Sequence, residues 1–221
     1  MISLKLLLAT RNEHKRREFE RLLARSDDGA PSARRWQLDG LPAEVTLPPE
    51  EGETFAENAL SKARAASRAT GRVSIADDSG IVAAALGGAP GVRSARYAGE
   101  RATDAQNLHK LMREAPAGSP LEYVCVIAYV DPHTQVERLF EGRCTGTLAA
   151  QARGEGGFGY DPAFVPDEVP PGRSRSDGQA QVPTMAELSD EQKDAISHRG
   201  RAARALAQWL ESSAVKSATA G

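Results

Sequence analysis

Two aspartates stand side by side in "SIADDSGI", residues 74–81, directly after an apolar run. At about 4 Å two like charges repel by about 1 kcal/mol in water and several-fold more in a partly buried site. A strand sends successive side chains to opposite faces, so Asp77 and Asp78 can take different tasks. One can face a site while the other holds backbone N–H groups at the strand's end. A divalent cation would make the pair favourable, since Mg²⁺ takes a few carboxylates together with substrate phosphates. An Asp-rich turn capping the next segment is the alternative, and on these residues alone the two stand even. The aspartyl-nucleophile phosphatases place one residue between their aspartates, a spacing this chain lacks.

Five further stretches carry chemistry-bearing types. "TRNEHK", Thr10 to Lys15, passes from strand to helix, where unpaired N–H groups and a partial positive charge attract anions. Thr10 and Asn12 can donate to a phosphate and Lys15 adds a charge; a capped helix start with an exposed lysine is the plainer alternative. In "EEGETFAENALSKA" Glu50 and Glu51 precede a turn glycine. Asn58 and Lys62 share a helix face, either toward one ligand or toward solvent. "GGAPGVRSARYAGE" places Arg93 and Arg96 among glycines that let a ligand approach the backbone. "GGFGYDPAF" offers Phe158 and Tyr160 as faces for a base, or a β-turn with a core phenylalanine. On the last predicted helix "SHRG" sets His198 beside Arg199, a pair able to read a purine edge. No Ser/His/Asp triad can be argued, and His14, His109, His133 and His198 lack metal-ligand spacing.

These side chains need elements to hold them. "LKLLLAT" predicts a buried strand over 4–9, followed by a helix with Phe19, Leu22 and Leu23 inward. After one short strand and loops somewhere within "WQLDGLPAEVTLPPEEGE", a second helix runs from Thr54 to Gly71. "VSIA" is a short strand ending at the aspartates. Residues 83–100 read as an ordered loop, and Thr103 caps a third helix. "LEYVCVIAYVD" and "QVERLFEGRCTGTLA", separated by "DPHT", predict an antiparallel hairpin. A loop and short strand lead to 167–183, an insertion of disorder-like composition, and then to one long final helix with a frayed tail over 213–221. Strands alternating with helices, then a hairpin, give an α/β fold with a central mixed sheet flanked by helices, in a single 1–221 domain of two lobes around a cleft.

Bulk properties narrow the partners. A formal net charge of −2 provides no field for nucleic acid and no polybasic segment for a membrane. The run "ISLKLLLA" is too short to span a bilayer and is not a signal peptide, so a cytoplasmic location is expected. Cys125 and Cys144 sit in apolar strand-like runs and read as buried thiols.

Taken in order, "LLLATRNEHKRREF", "EEGETFAENALSKA", "IADDSGIVAAALGGAPGVRSARYAG", "GFGYDPAF" and "LSDEQKDAISHRGRA" resemble the inosine triphosphate pyrophosphatase family, from about Leu4 to Leu210. The resemblance implies an elongated two-lobed α/β fold with a deep cleft, and a homodimer. It implies Mg²⁺-dependent hydrolysis of deaminated purine nucleoside triphosphates (ITP, dITP, XTP) to monophosphate and pyrophosphate. Its residues match position by position. Thr10, Arg11, Asn12 and Lys15 fall at the phosphate-binding start. Glu50, with Glu51 as its alternate, matches a metal-linked glutamate. Asn58 and Lys62 match helix residues facing the phosphates. Asp78 matches the proton acceptor and metal-site aspartate, with Asp77 as support and Ser79 as a substrate contact. Phe158, Gly159, Tyr160 and Asp161 match the base-side loop, and His198 and Arg199 the base-reading pair.

One position departs. Where the resemblance has a substrate-contacting lysine before "TxAEL", this chain has Pro183, and Arg173 or Arg175 in the insertion are the candidates to replace it. Two rivals stay open: a pyrophosphatase for other nucleoside triphosphates, and a nucleotide-binding module with weak turnover.

Overall fold

A computed structural model describes residues 4–23, 36–168, 170–172 and 182–219, with side chains described only as far as residue 212. Six strands form one sheet in the order β2-β1-β3-β4-β5-β6. They are β1 Leu4–Leu8, β2 Trp36–Gly40, β3 Ser74–Ala83, β4 Pro120–Val130, β5 Glu137–Leu148 and β6 Phe164–Pro166. The helices are α1 Glu13–Leu22, α2 Phe55–Thr70, α3 Asp104–Glu114, α4 Asp190–Ile196 and α5 His198–Thr219. β1 runs parallel to both β2 and β3, with Leu4 opposite Trp36 and Leu7 opposite Ser74. Such pairs need a crossover, and α1 and α2 supply it. β4 and β5 are neighbours joined by the tight turn 131–136, closed by Asp131 N–H to Val136 O at 3.0 Å. So short a connection makes them antiparallel. β5 pairs antiparallel with β6, which completes the mixed α/β sheet expected from the sequence.

Local chemistry sets the helix bounds. Thr54 accepts from Glu57 N, and Glu57 reaches back to the Thr54 N–H. Gly71, at φ 65, ends the same helix where a side chain would be strained. Thr103 and Ser189 build like boxes with Gln106 and Gln192. Residues 83–100 hold two 3-10 turns, Ala84–Leu86 and Gly91–Arg96, rather than a plain loop.

Two expectations change. β3 does not stop before the aspartates but carries them at its middle, buried over most of its length. It lies between β1 and β4, so its backbone is paired along both edges, and Gly80, Ile81 and Val82 continue it as apolar strand. The final helix is also two helices. Ser197 turns to extended backbone at φ −68, ψ 154, and its Oγ accepts from Gly200 N at 3.0 Å, starting α5 afresh. Gly200 is needed there, because a Cβ would lie 2.0 Å from the Asp194 carbonyl oxygen. α5 continues to Thr219, beyond the end expected from the sequence.

The chain divides into two compact units. The first comprises Met1–Asp78, Val126–Glu141 and Arg201–Gly221. Its core includes Leu6, Leu7, Phe19 and Ile75, and Trp209 packs edge-on to Tyr129 at 4.8 Å and against Phe140 at 5.6 Å. The second comprises Ser79–Cys125 and Gly142–Gly200. Its core gathers Ile81, Leu111, Tyr123, Phe164, Met185 and Ile196. Both cysteines are free and buried. No helix among the described residues is long and apolar enough to cross a membrane.

Candidate functional site

In the first unit the buried face of α2 carries the polar groups. Asn58 and Lys62 fall in the same stripe as Ala59, Ala63 and Ala66, not on a solvated face. Lys62 Nζ donates to Glu50 Oε1 and lies 4.0 Å from Asp78 Oδ1. Asn58 Nδ2 donates to Asp78 Oδ2 at 2.9 Å, and Asn58 Oδ1 accepts from Gly52 N at 2.8 Å. Glu50 and Asp78, 28 positions apart in the chain, therefore converge on one ammonium. Glu51 is exposed, which leaves Glu50 as the inward acid of the pair.

Asp77 takes a different partner, as the strand's alternation demands: its Oδ2 lies 3.0 Å from Lys15 Nζ. Asn12 caps α1 by accepting from Lys15 N at 3.1 Å, and Thr10 Oγ1 accepts from Asn12 N at 3.2 Å. The strand-to-helix turn is thus built around its own caps, with Lys15 aimed at β3. Arg11 does something else. Its guanidinium donates to the carbonyls of Leu41 (2.9 Å), Pro42 (2.6 Å), Ala43 (3.2 Å) and Val45 (2.7 Å). That side chain organises the segment leading toward Glu50.

Electrostatics separates the two inward carboxylates. Burial pushes the Asp78 carboxyl up to about 6, against the opposing pull of Lys62 and with help from nearby Glu50. Burial also opposes ionisation of Glu50, but Lys62, bonded directly to it, outweighs that and holds it below the usual carboxylate range. Burial likewise disfavours the Lys62 cation, yet Asp77, Glu50 and Asp78 together hold its pKa above normal. The site carries more negative charge than its lysines comfortably balance, which is a condition suited to a cation.

In the second unit Arg199, almost fully buried, donates from Nη2 to Ser79 Oγ at 2.7 Å. His198, also buried, stacks on Tyr123 with ring centroids 4.5 Å apart and planes at 7°. Half-exposed Phe158 has Lys193 Nζ at 5.1 Å and Arg199 Cζ at 5.6 Å from its ring centre. Asp161 is a buried acceptor hub. It takes Lys193 Nζ at 2.6 Å, Phe158 N at 2.9 Å and the Tyr123 hydroxyl at 3.1 Å. Gly159 N donates to Asp104 at 2.9 Å. Tyr160, expected as a face for a base, is instead in the core, with its hydroxyl on Ser94 O at 2.8 Å.

Lys193 and Tyr123 were missed from the sequence. Lys193 sits in "SDEQKDAI", where a lysine four residues after a Ser cap looks like any solvated helix charge. Its signal was proximity to the His-Arg pair five and six residues further on. Pro183 has no charge to offer, and Arg173 and Arg175 lie outside the described residues.

Comparison with known proteins follows the same boundaries. Residues 6–209 match the model of the Ham1 family. The chain is 46% identical over 209 residues to a dITP/XTP pyrophosphatase of Symbiobacterium thermophilum, covering 94% of this chain and 93% of that one. It is 45% identical over 212 residues to a dITP/XTP pyrophosphatase of Geobacillus kaustophilus, covering 93% and 94%. The fold is similar to the structure of a HAM1 protein from Coxiella burnetii at TM-score 0.76 and 35% identity, covering 95% of this chain and 99% of that one.

Proposed function

This chain belongs to the Ham1 family, and on that premise we propose that it hydrolyses non-canonical purine nucleoside triphosphates (ITP, dITP, XTP) to the monophosphate and pyrophosphate. The observation that carries this reading is the convergence of Glu50 and Asp78 on Lys62, with both carboxylates within 4.0 Å of one Nζ.

That arrangement fits Mg²⁺ as cofactor. No group of three or more acidic, histidine or cysteine side chains suited to a metal occurs among the described residues. A pair of hard carboxylates completed by phosphate oxygens is the donor set Mg²⁺ accepts. Glu50 and Asp78 would hold the ion, which would neutralise phosphate charge and polarise the phosphoryl group.

The protein's own groups have separable tasks. Asp78, oriented through Oδ2 by Asn58, takes the proton of the attacking water at Oδ1. In the metal-free fold burial raises that carboxyl to about 6, and a cation held beside it would draw it back toward the ionised form that accepts a proton. Lys62 and Lys15 supply positive charge where negative charge grows on the leaving pyrophosphate. In the second unit Ser79, Phe158, His198 and Arg199 receive the purine, and Lys193 provides the cation that Pro183 cannot. A donor aimed at the 6-oxo acceptor of hypoxanthine or xanthine leaves the 6-amino group of adenine unpaired. Sites built on such bonds discriminate by ~10⁴ or more.

The test is pyrophosphate release from ITP, XTP, GTP and ATP, with and without Mg²⁺. Turnover of ITP and XTP that requires the metal and exceeds that of ATP supports the reading. Binding of ITP without pyrophosphate release refutes it in favour of a binding module; equal use of ITP and ATP removes the 6-oxo selectivity claim, and equal use of ITP and GTP, which shares that oxo group, removes the restriction to non-canonical purines. A homodimer, implied by the family likeness, and a cytoplasmic location, expected from the sequence, complete the proposal; light scattering checks the former.

A further inference from the structure

Ser94 lies in the 3-10 segment Gly91–Arg96, is 5% exposed, and holds two other segments at once. Its Oγ accepts from Ile81 N at 2.8 Å and donates to Gly91 O at 2.6 Å, which fixes β3 two residues beyond Ser79. Its carbonyl accepts from the Tyr160 hydroxyl at 2.8 Å, which fixes the aromatic loop two residues beyond Phe158. The fit against β3 leaves no slack. A Cβ on Gly80 would stand 2.3 Å from Ser94 Oγ and 2.5 Å from Gly91 O. The segment is itself anchored by α3, because buried Asn107 accepts from Ala98 N at 2.8 Å and donates to Ala95 O at 3.0 Å.

Ser79, which accepts from Arg199, and Phe158, which faces the Arg199 guanidinium, thus hang from Ser94 on two sides. We infer that Ser94 is a positioning residue for base recognition: its hydroxyl and carbonyl set the spacing between the Ser79–Arg199 pair and the Phe158 ring, and so govern substrate preference without touching the nucleotide. The inference rests on the purine nucleotide reading above and deepens it. A buried hydroxyl that accepts from a strand N–H has no substitute in alanine, and its loss leaves that N–H unpaired. β3 then relaxes toward or away from Ser94 by tenths of an ångström, enough to misplace Ser79 relative to Phe158.

The experiment compares wild type, Ser94→Ala, Tyr160→Phe and the double variant as full-length proteins. It reads kcat and KM for ITP and ATP together with Tm. Ser94→Ala should raise KM for ITP roughly 3- to 10-fold, the worth of one buried hydrogen bond, with kcat changed by less than about twofold. Its ITP-over-ATP preference in kcat/KM should fall by a like factor, and Tyr160→Phe should lower that preference in the same direction. The double variant should lose less than the product of the singles, because both act on one spacing. An unchanged preference beside a lowered Tm overturns the inference, as does an equal loss of kcat on both substrates or a fully multiplicative double variant. If Ser94→Ala does not fold, Tyr160→Phe, which removes only the bond to the Ser94 carbonyl, decides. If wild type releases no pyrophosphate from ITP, the catalytic reading fails instead. Equilibrium binding of IMP against AMP to the same proteins then judges Ser94, with unaltered relative affinity overturning it.

Discussion

Asn58 ties Asp78 to the acidic loop through one side-chain amide, its Nδ2 on Asp78 Oδ2 at 2.9 Å and its Oδ1 on Gly52 N at 2.8 Å. The residue is buried at 2% and both ends of its amide are in use. Those two bonds orient Asp78 relative to the loop that carries Glu50. The fit is close, since a Cβ on Gly52 would meet Asn58 Oδ1 at 2.7 Å.

Replacing Asn58 by leucine, similar in size and without polar atoms, should lower kcat for ITP by about 10- to 100-fold. It should also weaken Mg²⁺ binding measured calorimetrically, because Asp78 loses its donor and the Glu50 loop its acceptor. Asn58→Asp should do worse, since it sets a third carboxylate beside Asp78. Unchanged Mg²⁺ affinity in both variants would reduce Asn58 to packing.

Asp78 makes activity and stability pull apart. Its carboxyl is raised from 3.8 to about 6 in the fold, so between those values the folded protein holds a proton that the unfolded chain has lost. The contribution of this group to stability is full below pH 3.8 and declines as pH rises to about 6, by up to about 3 kcal/mol. Glu50, held low, acts oppositely: its contribution is present above its unfolded value and is lost as pH falls through the folded one. Asp78→Asn should thus abolish turnover yet raise Tm of the metal-free protein at pH 7.5, and flatten the decline of stability over pH 4–6. Chemical denaturation across that range, on both proteins, reads the difference. A less stable Asp78→Asn would show that Lys62 depends on the Asp78 charge more than burial penalises it.

Mg²⁺ should stabilise the wild type more at pH 8 than at pH 5, since its ligands must be ionised. In Asp78→Asn that pH-dependent part should shrink. Thermal shift titrations at the two pH values check this.

The Asp161–Lys193 pair is buried on both sides. Removing one partner strands a charge, so Lys193→Met should cost about 3–5 kcal/mol by urea denaturation. The double variant Asp161→Asn with Lys193→Met should recover part of that loss. Recovery of stability without recovery of ITP affinity would separate the structural share of the pair from its share in binding.

Most short-range signals were legible in the sequence, the Ser197 turn that restarts α5 being the exception. Thr54, Gly71, Thr103 and Ser189 mark helix ends because caps are local chemistry, decided within a few residues. The acidic pair and its glutamate partner were legible as types. Their convergence was implied by the family resemblance and not by the residues alone, because it depends on which face of α2 turns inward. Alanines at 59, 63 and 66 are a weak apolar signal beside the polarity of Asn58 and Lys62, so the buried face looked solvated. The run of β3 through Asp77 and Asp78 was hidden for a related reason. Carboxylates argue against a strand interior unless Lys15, Asn58 and Lys62 are already known to meet them. Tyr160 and Lys193 exchanged expected roles because glycine-flanked aromatics and helix lysines have no local mark of burial.

Ser79 and Arg199 bond across 120 positions of chain, and this long reach bears on biosynthesis. A nascent polypeptide that has emerged as far as α3 already contains Glu50, Asn58, Lys62 and Asp78, but not the Arg199 guanidinium that donates to Ser79. The acidic cluster can assemble early from nearby segments, whereas the guanidinium arrives only when about nine-tenths of the chain has been synthesised. Chains cut short on the ribosome would therefore carry the acidic residues without the guanidinium that holds Ser79.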